Sequence, residues 1–173
     1  MLLLRNIFFT VLIPGTVTVV VPCFIVSGSH GAGRTPGHPV SWLGLLPVGA
    51  GAAVLFRCIW DFAVTGRGTL APVDPPTRLV VRGLYRYVRN PMYLGVLCIL
   101  TGEAWLFASS ALLIYAAGFF GTVHLFVVLY EEPALRRKFG QAYEQYVRTV
   151  HRWWPRRLTG GIGAEETKRG MSK

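Results

Sequence analysis

The feature that most constrains the fold is an apolar run of 40 residues, from position 91 to 130, interrupted by Glu103 and His124. A single helix of this length would extend about 60 Å, twice the hydrocarbon thickness of about 30 Å in a bilayer. We therefore predict a helical hairpin that turns near residues 108–110 and crosses the membrane twice.

Two further apolar runs precede this hairpin, at residues 4–26 and 40–64. The first is longer than the apolar core of a signal peptide and no small-residue cleavage site follows it, which indicates a retained span. Hydrophobic residues form 52% of the chain and the mean hydropathy is +0.44, more than a soluble domain of this size needs. The predicted fold is an all-α membrane protein with about four transmembrane helices.

Basic residues predict the orientation in the membrane. Five arginines lie in residues 65–90 and ten Lys and Arg residues follow position 130, whereas the 27–39 loop holds Arg34 alone. Basic loops face the cytoplasm, so we expect a multi-pass protein with both termini cytoplasmic. The net charge of +10 also suits nucleic acid. Its alternation with apolar runs favours membrane loops instead, and we expect no nucleic-acid partner.

The three cysteines, Cys23, Cys58 and Cys98, are far apart and each lies in an apolar run. This odd number without a Cys-x-x-Cys spacing is untypical of a disulfide framework or a zinc site. We therefore interpret them as small buried residues and predict no metal.

The segment Gly-Leu-Tyr-Arg-Tyr-Val-Arg-Asn-Pro-Met-Tyr, residues 83–93, joins a polar loop to the hairpin. Pro91 suits a first helical turn and Asn90 suits the cap before it. The free N–H groups of that turn, with Arg86 and Arg89, suit a carboxylate or phosphate. The alternative is an ordinary belt of Arg and Tyr at the membrane interface.

A second polar motif, Tyr-Glu-Glu-Pro, closes the hairpin at residues 130–133. Carboxylates at the end of an apolar helix are costly unless they are paired or hydrogen-bonded. A cation or a set of hydroxyls near Glu131 and Glu132 would relieve that cost. The alternative is two solvated glutamates at the start of the cytoplasmic tail.

Apolar residues recur at spacings of three and four over residues 135–148, which predicts a cytoplasmic amphipathic helix with a basic opposite face. Arg152, Trp153 and Trp154 follow it. Tryptophans beside arginines suit the headgroup layer of a membrane.

The order of these motifs, with a hairpin between them, resembles the integral-membrane methyltransferases: the isoprenylcysteine carboxyl methyltransferases and the phospholipid N-methyltransferases. The resemblance covers about residues 60–155 and includes the Gly-Arg-Gly-Thr-Leu-Ala-Pro run that begins at Gly66. From the resemblance and the apolar runs before it, we predict three parts: two N-terminal transmembrane helices (1–64), a methyltransferase core (65–158) and a tail (159–173) that we expect to be disordered.

The resemblance further implies S-adenosylmethionine as the methyl donor, bound without a Rossmann domain. Arginine and helix N–H groups suit the carboxylate of this donor, and carboxylates suit its ammonium, ribose hydroxyls and sulfonium. The residues that the resemblance assigns to the donor site are Gly66, Gly68, Tyr85, Arg89, Asn90, Pro91, Tyr93, Glu131 and Glu132.

The implied acceptor is a lipophilic molecule or lipid in the membrane, methylated on a carboxylate or an amine. Glu103 and His124 are candidates for the catalytic, acceptor-side residues, because ionisable groups inside a membrane are commonly functional. Arg152 is a third candidate, which the resemblance places with the two tryptophans at the acceptor entrance. Glu103 faces the pocket or pairs with His124 across the hairpin.

Two departures leave the acceptor open: Asn90 stands where many relatives have His, and Val127 where the eukaryotic prenylcysteine enzymes have a functional arginine. The alternatives are a non-catalytic membrane transport or assembly protein and, ranked lower, an NADPH-dependent reductase.

Overall fold

The computed structural model describes residues 14–28, 38–65, 79 and 81–155, with no side-chain description at 62–65, and this part of the chain is helical without strands. A π turn (Thr16–Val20) leads into α1, and a 3-10 turn (Pro39–Gly44) leads into α2. The helices are α1 (Val21–Gly28), α2 (Leu45–Thr65), α3 (Pro91–Leu106), α4 (Ser110–Phe126), α5 (Glu132–Phe139) and α6 (Gln141–Thr149). The predicted tail at 159–173, Gly66 and Gly68 lie outside the described residues.

The hairpin turns at the position that the length of the apolar run predicts. Helix α3 ends at Leu106, and Ala108 takes a positive φ of 47° in the turn. Ser109 then caps α4, because its hydroxyl accepts a hydrogen bond from the Leu112 N–H at 3.3 Å. Helices α3 and α4 are therefore antiparallel neighbours.

Two helical stretches in the described part of the chain are long and apolar enough to cross a membrane: Pro39–Asp61, with 23 residues, and Ser110–Phe139, with 30. The apolar helices Thr16–Gly28 and Pro91–Leu106 are shorter. The prediction of about four crossings therefore stays a prediction.

Four glycines bring α2 and the 3-10 turn before it into backbone contact with α3. Gly44 and Gly51 are two helical turns apart and face Gly102 and Gly95. A Cβ atom on Gly44 would lie 2.6 Å from the Gly102 carbonyl oxygen, and one on Gly95 would lie 3.0 Å from that of Gly51. Only glycine allows backbones to approach so closely. The contact fixes the 3-10 turn and the N-terminal half of α2 beside α3.

The long helix that carries the glutamates does not end at them, in contrast to our interpretation of residues 130–133. Helix α4 continues through a π turn (Val127–Glu131) directly into α5. Pro133 explains the turn, because its ring lacks an N–H and would collide with the carbonyl of Leu129 in a regular α-helix. A local π turn that contains Leu129 relieves this conflict, and the glutamates then lie within a continuous helix.

The single amphipathic helix predicted over residues 135–148 is instead two helices. Gly140 adopts a φ of 51° between α5 and α6, a backbone conformation that favours glycine. The apolar residues of this segment form a cluster whose buried members are Tyr143, Tyr146 and Val150. The apolar face thus packs onto the protein itself.

We expect Gly51→Ala to destabilise the protein by about 1–3 kcal/mol, because its methyl group would collide with the Gly95 carbonyl oxygen. The matched control is Gly49→Ala in the same helix, where a Cβ atom meets nothing within 4 Å. This control should be neutral or stabilising by up to about 1 kcal/mol, because alanine favours a helix. Thermal unfolding in detergent measures both, and equal midpoints would contradict the helix contact.

Candidate functional site

The centre of the candidate site is a buried carboxylate held by two arginines. Arg152 binds Glu132 through Nε to Oε1 at 2.6 Å and Nη2 to Oε2 at 3.0 Å, and Arg89 Nη1 lies 3.0 Å from Oε1. Glu132 is 4% exposed. A buried carboxylate needs such compensation, and two-point pairing with arginine supplies it with fixed geometry. The hydrogen bond to Glu132 also raises the pKa of Arg152.

Three separate segments supply this triad. Arg89 directly precedes α3, Glu132 begins α5, and Arg152 lies in residues 150–155, which we call the strap. The strap runs alongside the segment before α3 in the same direction. Val88 and His151 form a parallel bridge, and the Arg89 N–H donates to the His151 carbonyl at 2.9 Å. The ion triad therefore joins both ends of the hairpin to the end of the helical domain.

Asn90 occupies the cap position of α3, as predicted, but its side chain does not cap the helix. It makes no capping hydrogen bond, and its Nδ2 donates to the Arg152 carbonyl at 3.3 Å. Pro91 takes the first helical position and is buried. Asn90 thus ties the strap to α3 and does not occupy the N–H groups of the first turn.

The two adjacent glutamates have different surroundings. The Tyr93 hydroxyl donates to Glu131 Oε2 at 3.2 Å, and no Lys or Arg within the described ranges forms an ion pair with Glu131. Glu131 is half-buried, whereas Glu132 is buried and fully paired. Glu131 therefore keeps acceptor capacity that Glu132 has already used.

Tyr85 lies beside this pair in a 3-10 turn (Gly83–Arg86). The Tyr146 hydroxyl donates to the Tyr85 carbonyl at 2.7 Å, which joins α6 to the turn. Burial raises the pKa of both tyrosines, so both hydroxyls stay protonated at neutral pH. Because Asp61 packs against Gly83, where φ is 55°, a side chain at position 83 would collide with its carboxylate.

Asp61 also forms the ion pair that its spacing from Arg57 predicts, with Nε and Oδ2 3.4 Å apart. Its place at the end of α2 agrees with a structural role. The packing of Asp61 against Gly83 connects α2 to the turn that carries Tyr85.

Arg89 retains one unused donor. Its Nη1 binds Glu132, but its Nε is buried and has no hydrogen-bond partner among the described residues. An unpaired buried donor on a charged side chain is unfavourable unless a ligand completes it. Together, Arg89 Nε and Glu131 provide a donor and an acceptor at one end of the hairpin.

The structure separates the two intramembrane candidates. His124 Nδ1 lies 3.1 Å from Trp153 Nε1, so His124 is joined to the strap. Glu103 lies near the other end of α3, about 18 Å along the helix axis from Pro91 at about 1.5 Å per residue. Its Oε2 is buried without a hydrogen-bond partner among the described residues. The possible pair of Glu103 with His124 does not form.

Two contacts of the site were not predicted. The apolar spacing indicated that Tyr146 faces inward, but not that its hydroxyl binds Tyr85. Trp153 was assigned to the headgroup layer, and its bond to His124 joins residues 29 positions apart, which no local spacing reveals.

The described part of the chain is thus a helical membrane protein with a polar site at one end of a helical hairpin. The phospholipid methyltransferase family matches residues 40–142, and the chain belongs to that family. Its members methylate membrane lipids, which implies methyl transfer here. No curated protein and no solved structure shows significant similarity to the chain.

We expect Glu132→Gln to destabilise the protein by about 3 kcal/mol, because it leaves two largely buried arginines without a counter-charge. Glu144→Gln is the matched control, since its ion pair with Arg136 is exposed and contributes at most about 1 kcal/mol. Chemical unfolding in detergent distinguishes the two. A small, equal loss in both variants would show that the triad does not hold the site together.

Proposed function

We propose that this protein transfers a methyl group from S-adenosylmethionine to a lipophilic acceptor held in the bilayer. The observation that carries this proposal is the unequal state of the two glutamates: Glu132 is saturated by arginines, whereas Glu131 is held by one tyrosine hydroxyl. Such an arrangement provides a fixed frame with one open acceptor. Membership of the phospholipid methyltransferase family supports the same reaction class.

The residues present fit the chemistry of this donor. Its carboxylate needs a cationic N–H donor, and the buried Nε of Arg89 lacks a partner among the described residues. Its ammonium and ribose hydroxyls need acceptors, and Glu131 keeps acceptor capacity. We propose that Arg89 and Glu131 contact the donor, with the N–H groups at the Pro91 helix start and the rings of Tyr85 and Tyr93 around it.

We assign Glu132 a different role from the one that the resemblance implied. Both of its oxygens are bound by arginine in this structure, so it has little capacity left for a ribose or an ammonium. We propose that Glu132 positions Arg89 and Arg152. Arg152 then acts by holding the strap in place and is a positioning residue.

When bound, S-adenosylmethionine supplies a methyl group on a sulfonium sulfur, which becomes a neutral thioether as the acceptor's lone pair forms the new bond. The protein's contribution is placement and exclusion of water, which suffice for an in-line displacement. Tyr93 and Tyr85 wall the site, and Glu131 fixes the donor end. An amine acceptor releases a proton to solvent in this reaction, and a carboxylate acceptor releases none.

The surroundings of the site favour an acceptor that arrives from the bilayer. Apolar side chains on the outer face of the α4 end are open, among them Leu125, 58% exposed, and Leu129, 72% exposed. These residues lie on the same helical stretch as Glu131. A lipid tail along this face would bring its headgroup towards the site.

We also propose that the site lies on the cytoplasmic side, with both termini on that side. Described basic residues gather at the end of the hairpin that holds the site, and the residues around the opposite turn, 105–113, contain no Lys or Arg. The cytoplasmic side is also where a soluble donor is available.

We expect wild-type protein in detergent to bind S-adenosylmethionine by calorimetry, and Glu131→Gln to weaken binding at least about tenfold, because it removes a charged acceptor. Glu144→Gln, which changes the same residue type on the exposed face of α6, should bind as wild type. Isotopically labelled donor incubated with lipid extracts should label a lipid. Equal donor binding by all three proteins would refute the site, and no binding by wild type would refute the proposed cofactor.

A further inference from the structure

His124 and Trp153 form a hydrogen-bonded aromatic cluster beside the proposed donor site. Trp153 Nε1 lies 3.1 Å from His124 Nδ1, and Phe120 packs against the Trp153 ring edge-on, with ring centres 5.2 Å apart. Phe120 and His124 are one turn apart on α4, and their ring centres are 6.0 Å apart. Two rings, those of Phe120 and Trp153, thus hold the imidazole in place.

The direction of this hydrogen bond fixes the tautomer of the imidazole. An indole N–H can only donate, so the Nδ1 of His124 must accept. The imidazole is then neutral with its proton on Nε2. His124 therefore presents an N–H donor at Nε2, and no basic lone pair remains available on the ring.

The position of His124 along α4 relates it to the proposed donor site. His124 precedes Glu131 by seven residues on one continuous helical stretch, about 10 Å along the axis at about 1.5 Å per residue. It is partly exposed, and the neighbouring Leu125 is open to the outside. An acceptor lipid that lies along the outer face of α4 would meet His124 about two helical turns before Glu131.

We infer that His124, oriented by Trp153, is a positioning residue for the acceptor and donates a hydrogen bond from Nε2 to an anionic oxygen of the lipid. This inference rests on the proposed function. The oxygen belongs to a phosphodiester beside an amine or to a carboxylate, since both accept an N–H in the same way. His124 does not remove a proton from the acceptor, because its only available ring nitrogen already carries one.

The strap also contacts the frame of the proposed donor site. Arg152 binds Glu132 and the adjacent Trp153 binds His124. Adjacent residues of one segment thus fix the frame of the donor site and the proposed acceptor contact.

The test uses full-length protein and two isosteric variants of His124. His124→Asn places an amide oxygen near the former Nδ1 and keeps a partner for Trp153, but has no donor at the Nε2 position. His124→Gln extends its amide towards the Nε2 position and restores a donor. Steady-state rates are measured against three acceptors in detergent micelles: an aminophospholipid, a prenylated cysteine with a free carboxylate, and a long-chain primary amine without an anionic oxygen.

Wild type should methylate one of the two acceptors that carry an anionic oxygen. For that acceptor, His124→Asn should raise the KM about tenfold and leave kcat within about threefold. His124→Gln should recover most of that loss. For the long-chain amine the KM of the Asn variant should equal that of wild type. A raised KM of His124→Asn for the aminophospholipid identifies the oxygen as a phosphate oxygen. A raised KM for the prenylated cysteine identifies it as a carboxylate oxygen.

Trp153→Phe keeps an aromatic ring at this position but removes the indole N–H that orients His124, so it should also raise the acceptor KM. Trp105→Phe is its matched control, because it removes an indole N–H bond of the same 3.1 Å length to the Val40 carbonyl near the opposite end of α3. Calorimetric binding of S-adenosylmethionine should be unchanged in all four variants, which shows that they are folded. A wild-type KM in His124→Asn, or a loss confined to kcat, would overturn the inference while leaving donor binding, and with it the proposed function, intact.

Discussion

The compensation of one buried carboxylate organises the site. Glu132 is buried and follows a long apolar helical stretch, where an unpaired charge would be prohibitively costly. Two arginines distant in sequence must therefore reach it, one before α3 and one after α6. This requirement brings three segments to one point and determines where the strap runs. Tyr93 and Glu131 are neighbours of that frame, and their geometry depends on it.

Close helix packing makes such a frame possible. The glycines paired across the contact with α3 remove side chains there, so the two backbones meet directly. The position of one helix relative to the other along their axes is then fixed. Ser109 caps α4 directly after the turn, so α4 begins there and runs back beside α3. Rigid neighbours of this kind let a site at the end of the hairpin keep its distances, which a displacement reaction requires.

The sequence was informative wherever local chemistry decides the structure. The length of the apolar run predicted the hairpin and its turn. Family membership followed from ordered motifs. Local patterns failed where a distant group intervenes: Asn90 binds the strap and does not cap α3. Pro133 imposes a π turn that continues the helix, and Gly140 divides the amphipathic segment. The partners of Glu132 and His124 are long-range, and no spacing rule identifies them.

The strap has a consequence for how the chain can vary. Arg152 and Trp153 are consecutive, yet one binds α5 and the other binds α4. Only two residues, Val150 and His151, separate the end of α6 at Thr149 from Arg152. Deleting one residue there would bring the indole to the carboxylate, and inserting one would bring the guanidinium to the imidazole, so in each case Arg152 and Trp153 would both lose their present bonds. The connection after α6 therefore sets a fixed spacing: its residue types can change more readily than its length.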